Sequence, residues 1–349
     1  MLFLTGHVPP DRAGAFALLH ERAGIELALF GGRHQHGAAP APPPPGLPHR
    51  FVSQREVGGL VASGAYRAVI AGTGGRVALP AAWRAARRAG VPFVFWAALW
   101  RTPRTAAHLL ALPLMRSIYR DATAVVTYGE HVSAYVRRHG ATRVLVAPQA
   151  VDNDFWAAPG AARADERFAA LFVGRGAREK GLPVALEAWA LAGLDGTFTV
   201  VGNHPSLPKE VLGAGSPEPM QLRNFYAACD VLLVPSIVTR RFIEPWGLVV
   251  NEAMNQGKAI IASDAVGAAA GGLVRDGRNG LIVPAGDSSA LAGALTELAG
   301  DRSRCAALGA AGREDVRSHT FAAWADAFAE ALKFPPSPSP SPSAGSVRQ

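Results

Sequence analysis

Phe242-Ile-Glu-Pro-Trp-Gly-Leu-Val-Val-Asn-Glu-Ala-Met-Asn-Gln-Gly-Lys258 places two carboxylates, Glu244 and Glu252, eight positions apart with Pro245 and Gly247 between them. Pro245 and Gly247 favour an irregular loop, and Leu248–Gln256 reads as a helix ended by Gly257. Glu244 then lies on the loop that feeds the helix, and Glu252 about one turn into it. Backbone N–H groups from Trp246 to Val249 fall at the helix N-terminus, where an anion is welcome. A carboxylate beside such a site suits ribose or sugar hydroxyls, because it only accepts hydrogen bonds. The spacing alone also fits two surface glutamates flanking an ordinary loop.

Around this stretch, short apolar runs alternate with helical patterns, as in parallel sheets covered by helices. In the first half the expected strands are 2–4, 25–30, 67–71, 92–96, 124–128 and 143–147, with helices over 13–23, 79–89, 106–120 and 130–139. The Pro-rich residues 37–49 read as a loop, and 148–166 as an interdomain linker. The second half repeats the pattern, with strands at 168–173, 197–201, 231–234 and 259–262 and helices at 181–192, 220–228 and 248–256. Turn signals at Asp276-Gly277 and Asn279-Gly280 predict a hairpin within 272–284, and Asp287 caps a helix over 288–299. Helices over 301–318 and 320–333 close the fold. The expected domains are 1–150 and 151–334, both Rossmann-like, with a final helix able to pack back on the first. The Pro/Ser run 335–349 reads as a disordered tail.

Composition narrows the partners. Residues 1–150 hold 17 Arg, no Lys and six acidic residues, for a net +11, whereas 151–349 sum to −3. A basic first half suggests an anionic partner; a GC-biased genome that writes Arg for any solvated cation would leave the same trace. No zinc-finger spacing, basic zipper or RNA-binding signature appears, so nucleic acid is a poorer candidate than a membrane surface or a phosphate-bearing substrate. No apolar run is long enough to span a bilayer, and Met1–Gly6 reads as a strand rather than a secretory leader. Two distant cysteines, Cys229 and Cys305, fit a reducing cytoplasm better than a disulfide framework.

Leu171-Phe-Val-Gly-Arg-Gly-Ala-Arg-Glu-Lys-Gly181 reads as a strand, a glycine turn, a cationic loop and a helix start. Arg175 and Lys180 fall where strand ends meet helix starts, a natural place for a diphosphate, which Arg grips bidentately and Lys meets as a point charge. It is neither a Walker loop nor a dinucleotide fingerprint. Taken with Glu244, Gly247-Leu248, Glu252-Ala253 and Gly257, and with Asp276-Gly277 and Gly280-Leu-Ile-Val-Pro284 downstream, it resembles the family 4 retaining glycosyltransferases of the GT-B fold. Pro148-Gln-Ala-Val-Asp152 and Phe155 resemble that family's domain junction, with Gln149 where asparagine is commoner. The first half matches mainly in architecture.

The resemblance implies an α/β GT-B protein, two Rossmann-like domains facing each other across a cleft, that transfers a hexose-type sugar without a metal or further cofactor. The donor is a UDP- or GDP-linked sugar, and the acceptor a glycan, lipid-linked saccharide or other glycoside, reached in the cytoplasm or at an anionic membrane surface. Arg175 and Lys180 would neutralise the donor diphosphate, next to Gly174. Glu252 would hold the ribose, and Glu244 the transferred sugar. Trp246, Gly247, Leu248 and Val249 would offer backbone N–H groups, and Gly202-Asn203 would lie near the base. The sequence departs from the family in the first half. Where a histidine often follows the fourth strand, the chain reads Phe93-Val-Phe-Trp-Ala-Ala-Leu-Trp-Arg101. Trp96 reads as core, and Trp100 fits either a stacking wall for sugar rings on the acceptor side or core; Arg101 and the loop residue His7 fall on the acceptor side, where a lone loop histidine is more often bystander than base. His34 and His36 lack further metal ligands. Tyr128-Gly-Glu-His131 fits acceptor contact and helix capping equally. The missing histidine keeps a second reading open, a catalytically silent subunit that binds nucleotide sugar or activates a partner transferase.

Overall fold

A computed structural model describes residues 1–31, 46–161, 163 and 165–335. His34, His36, most of the expected 37–49 loop and the tail beyond Pro335 lie outside the described residues.

Among the described residues, two wholly parallel sheets form the frame. The first has seven strands: β1 (Leu2–Thr5), β2 (Glu26–Leu29), β3 (His49–Phe51), β4 (Val69–Gly72), β5 (Phe93–Ala97), β6 (Ala124–Thr127) and β7 (Val144–Val146), in the order β3-β2-β1-β4-β5-β6-β7. The second has six: β8 (Phe168–Val173), β9 (Gly196–Val201), β10 (Val211–Gly213), β11 (Val231–Val234), β12 (Ala259–Ser263) and β13 (Gly280–Val283), in the order β10-β9-β8-β11-β12-β13. Central strands such as Val231-Leu-Leu-Val234 and Ala259-Ile-Ile-Ala-Ser263 are buried on both faces, so they read as continuous apolar runs rather than alternating ones. In each sheet the order reverses beside the first strand, between β1 and β4 and between β8 and β11. Loops at such a switch point diverge to opposite faces and open a crevice at the strands' C-terminal ends.

Several segments, β10 among them, depart from the sequence expectation. β3 is exposed throughout and pairs with β2 through its backbone and the Arg50–Glu26 ion pair, so no apolar pattern announces it. The helix Val57–Ala62 contains Gly58 and Gly59, poor helix formers, and is held by Val57 and Val61, both fully buried. A helix at Asn153–Ala157, capped by Asp152, lies within the expected linker. The hairpin expected within 272–284 is absent: β13 runs parallel to β12 as the last strand of the sheet. Its turn is instead fixed by the buried Asn279, which bonds Arg275 N–H, the Leu273 carbonyl and Asp315. A Cβ at Gly280 would sit 2.5 Å from the Ile260 oxygen, which is the close approach that strand needs.

The chain crosses between the two sheets twice. It passes first at 147–152, and again after Val316–Ser318, where the helix Phe321–Ala331 returns to the first sheet. Trp324 and Phe328 of that helix are fully buried against Phe3, Phe16 and Trp96, with ring centroids 4.4–6.5 Å apart.

Candidate active site

Both switch-point crevices open into one cavity of about 1350 Å³. From the first sheet come the loop after β1, with His7 and Arg12, the glycine turn after β4, with Gly74 and Gly75, and the ring of Trp96. From the second come Gly174, Arg175 and Lys180 after β8, and the run Glu244–Val249 after β11.

Lys180 ends a single 3-10 turn, Arg178–Lys180, and Gly181 follows in the left-handed region at φ 72°. A Cβ at Gly181 would lie 1.9 Å from the Pro235 oxygen, so only glycine lets this turn seat against the loop after β11. The Ile237 N–H, donating to the Glu179 carbonyl at 2.9 Å, closes the same contact. The result brings Lys180 Nζ to 2.5 Å from Glu244 Oε2, with Ser236 Oγ donating to the same oxygen at 3.4 Å. Glu244 is buried, which a carboxylate tolerates only when paired and hydrogen-bonded. Arg175, half-exposed, contacts Glu179 at 3.3 Å.

Gly247, at φ 94°, turns the chain into the helix Val249–Asn255, one residue shorter at each end than expected. Val250 and Glu252 N–H groups already donate to the Gly247 and Leu248 carbonyls, at 3.0 and 3.1 Å. The amides before them have no intrahelical acceptor, and Gly247, Leu248 and Val249 line the cavity. The Trp246 side chain turns away from the cavity: its ring N–H donates to Asn251 Oδ1 at 2.8 Å, while Asn251 Nδ2 donates to the Gln149 carbonyl at 2.8 Å.

Glu252 accepts from the Tyr226 hydroxyl at 2.6 Å. Burial pushes its pKa up from 4.5 to about 7; the Tyr226 hydrogen bond opposes the rise, and Asp11, reaching from the first domain, adds to it. Burial likewise drives the Tyr226 phenol well above its ordinary value. Gly202, at φ 128°, lies against Gly174, whose carbonyl oxygen would be 2.0 Å from an added Cβ, and His204 Nε2 is 2.9 Å from that same oxygen. Glu252, Gly202 and Asn203 stand at the same strand ends and helix start but outside the walls of the main cavity.

The first domain meets this loop through side chains that the sequence reading placed elsewhere. Trp100, expected on the acceptor side, does not line the cavity: its ring N–H donates to the Glu244 carbonyl at 3.1 Å. His131 Nε2 is 3.1 Å from the Pro245 carbonyl, which fixes that nitrogen as the protonated one. Its ring sits 5.2 Å from Trp100 and 6.0 Å from Trp246, and burial lowers its pKa. Trp96, read as core, does two things: it packs on Trp324 and also faces the cavity under the Arg12 guanidinium, 5.2 Å from its ring centroid. Arg12 donates to the Gln149 side-chain oxygen. Gln149 thus ties the junction to the first domain. Arg101 lies in a neighbouring cavity. Cys229 and Cys305 are free and buried, and burial raises their thiols to about 12 and about 11.

Residues 167–301 match the family model described as glycosyl transferases group 1. Among named relatives, a D-inositol 3-phosphate glycosyltransferase of Nocardia farcinica is 37% identical over 91 residues, which is 26% of this chain and 19% of that one. A GDP-mannose-dependent alpha-(1-6)-phosphatidylinositol monomannoside mannosyltransferase of Mycobacterium tuberculosis is 30% identical over 239 residues, 59% of this chain and 61% of that one. The aligned stretches therefore span less than two thirds of either relative. The Anabaena protein HepE, solved with UDP and glucose, superposes over 95% of this chain and 98% of its own with a TM-score of 0.71 at 19% identity. A sucrose-phosphate synthase of Thermosynechococcus elongatus does so over 94% and 97%, also with a TM-score of 0.71, at 20% identity. Residues 167–301 thus resemble the group 1 glycosyltransferases, and the two facing parallel sheets have the GT-B fold.

Proposed function

We propose that the protein is a retaining, metal-independent glycosyltransferase that moves a hexose from a nucleotide sugar to a glycan, a lipid-linked saccharide or another glycoside. The observation that carries the reading is the Lys180–Glu244 pair, 2.5 Å apart, set beside the helix start at Gly247–Val249 in a cavity walled by both domains. Loss of a nucleoside diphosphate builds negative charge on the leaving oxygen. Lys180, Arg175 and the amides of Gly247–Val249 are preorganised to meet that charge without reorganising solvent. Glu244, acceptor-only while ionised, takes hydrogen bonds from the sugar, and Glu252 those of the ribose. The attacking hydroxyl approaches from the first-domain side on the face the diphosphate leaves, so the two glutamates need not act as an acid and nucleophile pair.

The relatives' names make GDP-mannose a first donor to try and inositol-phosphate-bearing acceptors a first class. The basic first half suits a cytoplasmic enzyme working at an anionic surface. Such contact would be peripheral through these elements, since no helix among the described residues is long and apolar enough to cross a membrane. The test is release of nucleoside diphosphate from a panel of UDP- and GDP-linked sugars. Lys180→Ala and Glu244→Ala are each expected to lower turnover on the order of a hundredfold or more. Arg175→Ala, at a half-exposed position, tests the same charge without opening the buried pair. Full activity in all three variants would sink the assignment, and donor binding without turnover across acceptors would favour the silent-subunit reading.

A further inference from the structure

A second cavity, of about 540 Å³, shares Tyr128, Phe242 and Pro245 with the main one. Ile243 and Pro245 line it, while Glu244 between them lines the main cavity, so one stretch of backbone is the wall of both. Its lips come from different domains. The loop after β5 brings Arg101 and Arg104, and the loop after β11 brings Arg240 and Arg241. No Asp or Glu lines it, and none of the four arginines forms an ion pair among the described residues. Two other groups of neighbouring arginines are neutralised by a shared carboxylate: Arg275 and Arg278 share Asp315, and Arg163 and Arg302 share Asp230.

The backbone that carries these cations is fixed. The Arg104 N–H donates to the Arg240 carbonyl at 2.8 Å, joining the two lips. Thr239 Oγ1 accepts from the Arg241 and Phe242 amides, at 3.3 and 3.0 Å, and Thr102 Oγ1 lies 2.8 Å from the Tyr135 hydroxyl. The helix Ala106–Asp121, capped by Thr105, begins at the same wall with His108 in its first turn, adding the positive end of its dipole. Four like charges lining one cavity repel one another unless an anion is present to share them.

We infer that this cavity binds a phosphate group carried by the acceptor, a phosphomonoester or phosphodiester. The assignment to the acceptor rests on the glycosyl-transfer reading above. Guanidinium forks match phosphate oxygens in geometry as well as charge. With the phosphate there, the rest of the acceptor reaches past Pro245 into the main cavity, where the donor sugar meets Glu244. Two sources share this chemistry: a soluble sugar phosphate, and a lipid whose phosphate enters while its chains meet the apolar rim of Leu109, Leu110 and Val238, which are 57%, 81% and 39% exposed.

Two probes separate the sources. Calorimetry uses glucose 6-phosphate with glucose as the uncharged control, and co-sedimentation uses phosphatidylcholine vesicles with and without phosphatidylglycerol. Wild type is compared with the Arg101→Gln, Arg240→Gln double variant, whose positions are exposed, and with Lys180→Ala; matching melting curves establish that each is folded. The expected result is phosphate-dependent binding to one probe, weakened tenfold or more in the double variant and retained in Lys180→Ala. Binding to glucose 6-phosphate identifies the soluble source, and binding to phosphatidylglycerol vesicles the lipid one. Wild-type binding to neither probe, equal binding by wild type and double variant, or loss confined to Lys180→Ala would each overturn the proposal. Because the readout is binding, failure of every nucleotide sugar to turn over would sink the transferase reading and leave the anion site standing.

Discussion

Glu252 illustrates how far a single residue's chemistry follows from its surroundings. Its carboxyl titrates at about 7 in the fold against an ordinary 4.5, because burial disfavours the ionised form more than the Tyr226 hydroxyl favours it. Between those values the folded chain holds a proton that the unfolded chain has released. The group's contribution to stability is therefore most favourable below about pH 4.5, falls as pH rises towards 7, and is flat above, a swing on the order of 1–3 kcal/mol. Glu252→Gln keeps an acceptor for Tyr226 and removes the titration. Its melting temperature is expected to exceed the wild type's at pH 8, with the gap closing towards pH 4.5; parallel melting-versus-pH curves would refute this. The presence of both glutamates in a patterned loop and helix was legible from spacing, and so were Arg175 and Lys180. The Tyr226 partner was not, because it sits 26 residues upstream on another helix and carries no local signal. The partners of Trp100 and His131 were hidden for a related reason: their hydrogen bonds go to main-chain carbonyls of the opposite domain, and a carbonyl has no residue identity to read.

At the scale of elements, the sequence exposes what is buried and hides what is held by backbone. Central strands show themselves as apolar runs. β3 and β10, at sheet edges, have little to bury on their outer side and so little pattern to show. The hairpin expected within 272–284 failed because Asp-Gly and Asn-Gly announce a turn but not the direction of the strand that leaves it. The turn that matters most is Arg178–Lys180 with Gly181. A side chain at 181 would collide with the Pro235 carbonyl and force a left-handed backbone on a residue that resists it. Gly181→Ala is expected to cost on the order of 2–4 kcal/mol and to withdraw Lys180 from Glu244. Denaturant unfolding reads the first effect and nucleotide affinity the second. An alanine variant with wild-type stability would show that the loop after β11 yields.

For the whole molecule, the two-sheet plan and the cleft between strand ends followed from alternating patterns, and the last helix was expected to be able to pack back on the first domain, without a pattern that fixed its place there. Its apolar face shows that it must pack, but not on which domain. Trp324 and Phe328 fill the first domain's core from a segment more than three hundred residues after Phe16. Trp324→Ala is expected to cost about 3–5 kcal/mol and to lower the melting temperature of the first domain along with the contact. Unchanged melting would mean that the helix rests on the sheet without supporting it.

That returning helix has a mechanical consequence. The segments at 147–152 and 316–320 both pass from one domain to the other, and Asn153 Nδ2 donates to the His319 carbonyl at 3.2 Å where they run side by side. One covalent link would let the domains swivel like a ball on a string. Two links laced together form a door hung on two pins: the axis between them is fixed, and opening about it remains the cheap motion. A jaw restricted in this way closes on the same register each time, so that Trp100 and His131 find the Glu244 and Pro245 carbonyls again after every opening.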